Sequence, residues 1–305
     1  MDIRASAFRT AYKLFPFPLT GDLTSDVQIP NGEQNCEISC VINFYGRTEL
    51  LRNILTGLSE QSFKKADFEV VLVEDRSGTK EGKEIVKEFR SKLNIKYYFL
   101  EENFGVMGYA RNFGLSKTKG NFILFLDDDT IILDKDFLSI LVNEFNTSGA
   151  EAVMPFGSAS FCLIKEKYSF HDPYFPTNRC MAYKRETLLE LKGFVSEIIG
   201  QEDVEFTLRL IAAQKKIHRS NLISYMHPPL IVHNTSKAAA VGASFTKLKK
   251  RYPLVIWLML LINGSRDLPK LIFLFNTQYK MQGMFSLGFI FGIWYSITGK
   301  KMEYN

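Results

Sequence analysis

Short apolar runs alternate with helix-period segments along residues 38–145 of this chain. Four runs predict buried strands, because each is a short block of apolar residues bounded by polar ones: residues 38–44, 69–74, 95–100 and 122–126. Between and after them, apolar residues recur at helical spacing and predict helices over residues 49–59, about 80–91, 109–116 and 137–145. Such alternation predicts an α/β fold with a mainly parallel sheet flanked by helices on both faces.

Three consecutive carboxylates, Asp127, Asp128 and Asp129, directly follow the fourth predicted strand. Open α/β sheets bind their ligands at the C-terminal ends of strands. Adjacent negative charges repel one another, and a divalent cation removes that repulsion, since carboxylate oxygens are the ligands that Mg²⁺ and Mn²⁺ prefer. Asp127 and Asp129 are two positions apart and should point the same way, while Asp128 points to the other side. The triplet therefore predicts a cation site.

Polar residues also follow the first two predicted strands, at Tyr45–Arg47 and at Asp75. Because these strands are predicted to be parallel, their ends should meet at the edge that bears the aspartates. Asp75 is suited to accept a hydrogen bond from a nucleobase imide or a ribose hydroxyl. Farther along, Glu202 and Asp203 open a predicted helix, where a carboxylate can deprotonate a hydroxyl or simply complement the helix dipole.

Four ordered motifs carry a family resemblance. They are Val-Ile-Asn-Phe-Tyr-Gly-Arg from Val41, Val-Leu-Val-Glu-Asp-Arg-Ser from Val71, Gly-Tyr-Ala-Arg-Asn-Phe-Gly-Leu from Gly108, and Phe-Leu-Asp-Asp-Asp from Phe125. In this order and spacing the chain resembles the family-2 glycosyltransferases of GT-A fold over roughly residues 38–233. It departs from the family pattern at Asn43, Gly46, Glu74 and Arg76. The last of these replaces a glycine and puts the local turn in doubt.

The resemblance implies a role for each matching residue. Asp129 is the metal position, Asp127 is a further ligand, and His233 lies near the point where comparable enzymes place a metal-binding histidine. His218 and His227 attract no such assignment. The residues implied to contact the nucleotide-diphospho-sugar are Tyr45, Arg47, Asp75, Arg111, Asp127 and Asp128. Asp203, with Glu202 beside it, is implied to be the base that activates the acceptor hydroxyl.

Together these assignments predict a metal-dependent, inverting glycosyltransferase that uses Mg²⁺ or Mn²⁺ and acts on a glycan or lipid-linked acceptor in cell-surface polysaccharide or glycolipid assembly. A non-catalytic scaffold of the same fold that binds a nucleotide-sugar or a glycan is the alternative. A haloacid-dehalogenase-like phosphatase fits poorly, because Thr130 comes one position too early for its Asp-x-Asp-x-Thr signature and the signature belongs on the first strand.

Composition divides the chain further. Residues 1–35 are rich in proline and glycine and predict an irregular extension, residues 36–235 form the predicted catalytic domain, and residues 236–305 form a basic, apolar, helical tail. The tail holds ten basic and two acidic residues, a net charge of +8, which leaves −3 of the total +5 for the remainder.

Basic residues interleaved with apolar ones predict a membrane surface as the partner of this tail, and not nucleic acid. Residues 281–299 are uncharged and borderline for crossing a bilayer, whereas residues 254–262 suit an interfacial helix. The other interpretations are packing on the catalytic domain or an oligomer interface. The four cysteines form no CxxC pair and no secretory signal precedes them, so we expect a cytoplasmic location. Together with the predicted membrane contact of the tail, this predicts a protein that is peripheral on, or anchored in, the cytoplasmic face of the inner membrane.

Overall fold

The computed structural model describes residues 3–24, 36–76, 81–132, 134–157, 179–227, 235–273 and 275–299. Its strands are β1 (Ile38–Phe44), β2 (Phe68–Glu74), β3 (Ile95–Phe99), β4 (Phe122–Asp127), β5 (Ile131–Ile132), β6 (Ala152–Phe156), β7 (Cys180–Lys184) and β8 (Ile217–Met226). Its helices are α1 (Ile3–Leu14), α2 (Thr48–Ser59), α3 (Gly82–Phe89), α4 (Met107–Ser116), α5 (Phe137–Ser148), α6 (Arg185–Glu190), α7 (Glu202–Ala212), α8 (Ser236–Phe245), α9 (Leu254–Ser265) and α10 (Thr277–Ile297).

The strands form one sheet in the order β3-β2-β1-β4-β7-β6-β8-β5. The first four strands in this order are mutually parallel, as predicted. β7 runs antiparallel to both β4 and β6, so β6 has the direction of β4, and β8 pairs with β6 in parallel. The C-terminal ends of β1, β2, β4 and β8 therefore meet at one edge of the sheet.

Both faces of the sheet are covered, which confirms the predicted α/β architecture. On one face, apolar side chains of α2, α3 and α5 pack on the strands, among them Leu51, Ile85 and Phe137. On the other face, α4, α6 and α7 supply Leu115, Leu188 and Phe206. The central strands β1, β2 and β4 are buried on both sides, which explains why their sequences are mostly apolar.

The N-terminal segment differs from the predicted irregular extension, because residues 3–14 form α1. Phe8 and Phe17 are buried in an apolar cluster with α7, so tertiary packing stabilises a helix that the sequence pattern did not indicate. Beyond the helix, Gly21 and Leu23 donate backbone hydrogen bonds to Leu191 and Lys192, at 2.7 and 2.9 Å. The segment is thus fastened to the loop between α6 and α7, and residues 25–35 lie outside the described residues.

The tail packs on the catalytic domain through the same apolar cluster. Val241, Phe245, Ile256 and Phe289 of α8, α9 and α10 are buried there together with Leu208 of α7. Among the helices of the described residues, none has the length and apolar character needed to cross a bilayer. The part of the tail seen here is therefore a helical layer on α7, while its contact with a membrane stays a prediction.

Close helix packing explains the glycines of the tail. A Cβ at Gly292 of α10 would lie 1.8 Å from the carbonyl oxygen of Ala239 in α8, and one at Gly242 of α8 would lie 2.0 Å from the carbonyl oxygen of Phe289. These glycines let the two helices approach each other, so they serve packing despite their low helix propensity.

Replacing Gly292 with alanine should therefore lower the free energy of unfolding by about 1–3 kcal/mol, because the methyl group forces the two helices apart. The matched control is Gly57→Ala in the interior of α2, where the nearest atom to the added Cβ is 3.8 Å away. That change should stabilise the protein by about 0.5–1 kcal/mol. Denaturant titration of both variants measures the difference, and equal effects would contradict the packing explanation.

Candidate active site

The aspartate triplet lies at the sheet edge where β4 and β8 end. Asp127 is the last residue of β4, and His227 directly follows β8. His227 Nε2 lies 2.8 Å from Asp129 Oδ1 and 3.7 Å from Asp127 Oδ2. One ligand atom from each of the three residues falls within 4.8 Å of the others. As predicted, Asp127 and Asp129 point to the same side.

His227 is the residue that sequence reasoning missed at this site. Its position follows from topology, since β8 is parallel to β4 and ends at the same edge, whereas His218 near the start of β8 lies toward the opposite edge. The sequence carried no signal for it, because β8 mixes buried and exposed residues and does not stand out as a strand. His233, the histidine assigned from the resemblance, lies outside the described residues.

The donor set of this cluster suits a divalent cation. Two carboxylates and one imidazole are ligands that Mn²⁺ accepts, and Asp129 and His227 are both buried. Burial opposes ionisation of Asp127, but the nearby imidazole of His227 and the charge of Arg111 outweigh it and hold the pKa of the carboxyl below its usual value. Asp127 is therefore an anion near neutral pH, ready to act as a ligand.

Asp128 faces away from His227 toward the end of β1. Its Oδ1 lies 3.0 Å from Nη2 of Arg47, which also forms an ion pair with Asp129. The backbone of Tyr45 hydrogen-bonds to the same carboxyl. Burial, together with the neighbouring aspartates and against the charge of Arg47, raises the pKa of Asp128 to about 7. The predicted residues Tyr45 and Arg47 thus lie beside the triplet.

Asp75 lies at the end of β2 beside these groups. Its Oδ2 accepts a hydrogen bond of 2.8 Å from the backbone N–H of Gly105, while its buried Oδ1 has no hydrogen-bond partner within the described residues. The next residue, Arg76, has a φ of +57°, the left-handed conformation that the family glycine adopts freely. Its guanidinium lies 4.9 Å from the centre of the Tyr45 ring. Arg76 therefore takes the backbone conformation of the glycine that it replaces, while residues 77–80 lie outside the described residues.

Arg111 connects the triplet to the start of α7. Its Nη2 lies 3.1 Å from Asp127 Oδ1 and its Nε lies 2.7 Å from Glu202 Oε1. Burial raises the pKa of Glu202 to about 7 against the charge of Arg111, which lowers it. The observed partners of this buried guanidinium are carboxylates, so it neutralises and orients them. Contact with a diphosphate, as the resemblance implied, stays a prediction for Arg111.

Asp203 follows Glu202 in the first turn of α7 and is only partly buried, whereas Glu202 is buried beneath it. Asp203 Oδ1 accepts a 2.8 Å hydrogen bond from the backbone N–H of Val204. The preceding residue, Gln201, has a φ of +59°, a conformation that costs a non-glycine residue about 1–2 kcal/mol. A strained residue at a helix entry is typical of functional sites. Asp203 is thus the more accessible carboxylate of the pair.

Helix α8 of the tail contacts the residues just before α7. The backbone N–H of Ile199 donates to Ser244 Oγ of α8 at 3.3 Å, and a Cβ at Gly200 would lie 3.2 Å from Val241 of the same helix. The segment that presents Glu202 and Asp203 is therefore held between the sheet and the tail.

Comparison with known proteins gives a consistent match. Residues 39–196, a little over half of the chain, match the model of glycosyl transferase family 2. The poly(ribitol-phosphate) beta-N-acetylglucosaminyltransferase TarS of Staphylococcus aureus (strain Mu50 / ATCC 700699) is 38% identical over 96 residues, which are 32% of this chain and 17% of TarS. The GalNAc(5)-diNAcBac-PP-undecaprenol beta-1,3-glucosyltransferase of Campylobacter jejuni is 30% identical over 133 residues, covering 43% of this chain and 40% of that protein. The chain thus spans less than a fifth of the length of the staphylococcal relative.

Solved structures share the fold. S. aureus TarS 1-349 in complex with UDP-GlcNAc has a TM-score of 0.55 at 18% sequence identity, covering 88% of this chain and 94% of that one. The mannosyltransferase PcManGT from Pyrobaculum calidifontis, in complex with GDP-Man and Mn²⁺, has a TM-score of 0.60 at 14% identity, covering 98% of this chain and 94% of that one. These likenesses confirm the predicted GT-A fold.

Proposed function

Because this chain belongs to glycosyltransferase family 2, we propose that it transfers a sugar from a nucleotide-diphospho-sugar to an acceptor hydroxyl with inversion at the anomeric carbon. One observation supports this most strongly. Asp127, Asp129 and His227 form a cluster that could hold a cation. Arg111 connects this cluster to the start of α7, because it pairs with both Asp127 and Glu202. Donor-side and acceptor-side groups thus belong to one buried network.

Charge supports the donor assignment. Asp127, Asp128 and Asp129 bring three carboxyl groups together at one sheet edge, and two of them lie with His227 in a set of oxygen and nitrogen donors that suits a cation. Mg²⁺ or Mn²⁺ held by Asp127, Asp129 and His227 would supply Lewis-acid stabilisation to the departing diphosphate. Asp75, with its buried Oδ1, is placed to accept a hydrogen bond from the nucleoside.

The proposed chemistry needs a single base. The Asp203 carboxylate takes the proton of the acceptor hydroxyl as its oxygen attacks the anomeric carbon, and the bond to the diphosphate breaks on the opposite side. One displacement without an enzyme nucleophile inverts the configuration. Glu202 is bound to Arg111 and positions the network without touching the acceptor.

The relatives support a proposal for the acceptor class. TarS is named as an enzyme that acts on poly(ribitol-phosphate), and the Campylobacter relative as one that acts on an undecaprenol-linked glycan. We propose that this chain likewise acts on a glycan or lipid-linked acceptor in cell-surface polysaccharide or glycolipid assembly, on the cytoplasmic side of the inner membrane.

Replacing His227 with alanine tests the cation site. We expect the affinity for Mn²⁺ to fall at least about tenfold, in line with the loss of a group that holds a metal site together. His218→Ala is the matched control, because this histidine pairs with Glu144 near the opposite edge of the sheet. Isothermal titration with Mn²⁺ gives both affinities. Equal Mn²⁺ affinity of wild type and the His227 variant would exclude His227 as a ligand.

A donor screen tests the proposed function itself. Purified protein with Mn²⁺ should be stabilised in a thermal-shift assay by one class of sugar nucleotide, and should slowly hydrolyse that donor. No stabilisation and no hydrolysis across UDP-, GDP- and dTDP-sugars would contradict the proposal. Donor binding with no transfer to any acceptor would favour the alternative, a non-catalytic nucleotide-sugar-binding scaffold.

A further inference from the structure

Large apolar side chains are exposed in one region of this protein. Eleven of the seventeen that are exposed within the described residues lie in residues 254–297. Ile272 is 80% exposed, and Phe275 is fully exposed. We define the C-terminal apolar surface by six exposed side chains of α9 and of the turn that follows it: Leu254, Val255, Leu258, Ile262, Ile272 and Phe275.

Helix α9 is apolar on all of its sides. Ile256, Trp257 and Leu260 are buried against the rest of the tail, and the opposite side presents further leucine, valine and isoleucine to solvent. A water-facing helix normally places polar residues on its outer side, and one that is hydrophobic all round is normally buried or in contact with lipid. Exposed apolar side chains grouped on one helix and on the turn after it indicate an interaction surface.

Basic residues flank the C-terminal apolar surface. Lys247, Lys249 and Lys250 are exposed in the 3₁₀ turn Thr246–Lys250 just before α9, and Arg266 is exposed just after it. Residues 236–305 carry a net charge of +8. A twofold contact with a second copy would bring the same basic surface of both copies together, so that like charges face each other. Anionic lipid headgroups complement both the charge and the apolar side chains.

We propose that the C-terminal apolar surface docks this protein on an anionic lipid bilayer. Helix α9 lies in the plane of the headgroup region, the apolar side chains of the following turn enter the acyl boundary, and the flanking lysines contact lipid phosphates. The chain lies on the bilayer without crossing it. This inference concerns location and goes beyond the proposed transfer chemistry, so it stands or fails independently of the donor screen.

Vesicle co-sedimentation with the full chain tests the proposal. We expect binding to vesicles of phosphatidylglycerol mixed with phosphatidylcholine, weaker binding to phosphatidylcholine alone, and a decline as salt is added. The variant Ile272→Ser/Phe275→Ser should lower the partition coefficient by about tenfold or more. Leu222→Ser is the matched control, because Leu222 is 66% exposed on β8, outside the tail, and should leave binding unchanged.

Both variants alter exposed side chains, so near-UV circular dichroism and the melting temperature should match those of the wild type. Absence of wild-type binding to the anionic vesicles would overturn the proposal, as would equal loss of binding in the Leu222 control. Light scattering gives a separate outcome. If the wild type is a dimer and the tail variant a monomer, a second copy covers the surface, and the membrane proposal is wrong.

Discussion

Replacing Asp203 with asparagine is expected to lower the rate of sugar transfer by about 10²–10⁴-fold, the contribution of a positioned general base. The carboxamide keeps the size of the side chain and can still accept the hydrogen bond from Val204, but it no longer takes up a proton at neutral pH. The dissociation constant of the donor should be unchanged, because the cation cluster is built from Asp127, Asp129 and His227. Single-turnover transfer and calorimetric donor titration measure the two quantities separately.

Glu186→Gln is a suitable control for this experiment. Glu186 also lies in the first turn of a helix, α6, but its side chain is exposed and paired with Lys184. If the Asp203→Asn variant transfers sugar at the wild-type rate, Asp203 is not the general base. A loss of donor affinity equal to the loss of transfer would instead place Asp203 on the donor side of the site.

Replacing Arg209 with methionine is expected to lower the free energy of unfolding by about 3–5 kcal/mol, the cost of leaving a buried charge without its partner. The guanidinium of Arg209 is completely buried, lies 2.8 Å from Glu205 Oε2, and also donates to the carbonyl oxygens of Leu191 and Gly193. Methionine fills a similar volume but leaves Glu205 and three carbonyl groups, those of Leu191, Gly193 and Leu19, without these donors. Denaturant titration measures the loss.

The matched control is Arg52→Met, which removes an arginine from an exposed pair with Glu88. Because solvent screens an exposed pair and hydrates the remaining carboxylate, this change should leave the denaturation midpoint nearly unaltered. If both variants unfold at the same denaturant concentration, the buried pair of Arg209 and Glu205 does not stabilise the packing of α7 against residues 191–193.

Much of the fold was predictable because the four parallel strands β1–β4 follow one another along the chain and are mostly apolar. The run at residues 122–126 and its neighbour at residues 38–44 are buried on both faces, so hydrophobicity alone marks them. The same reasoning placed Asp127 and Asp129 on one side, since alternation along a strand is a property of the backbone. Asp75 was predicted at the same edge because parallel strands share their direction.

The second half of the sheet was not predictable in this way. β8 combines buried Ile223 and Tyr225 with exposed Arg219 and Asn221, so it forms no clear apolar run. β6 is apolar, but it contains a proline, which argues against a strand in the middle of a sheet. Their partners are distant in sequence, and their direction depends on the antiparallel β7 between β4 and β6. Because His227 takes its position from that topology, the residues alone gave no reason to prefer it over the other histidines.

The position of His227 has a thermodynamic consequence. Asp127 and His227 are one hundred residues apart in sequence and come together only when β4 and β8 belong to the same finished sheet. An unfolded chain holds no such pair, so any cation that binds there binds the native state alone and stabilises it by RT ln(1 + [L]/Kd). Chelation would then lower the melting temperature of the whole domain. Binding of the ion would also show that the sheet is fully formed, in addition to any part that the ion takes in catalysis.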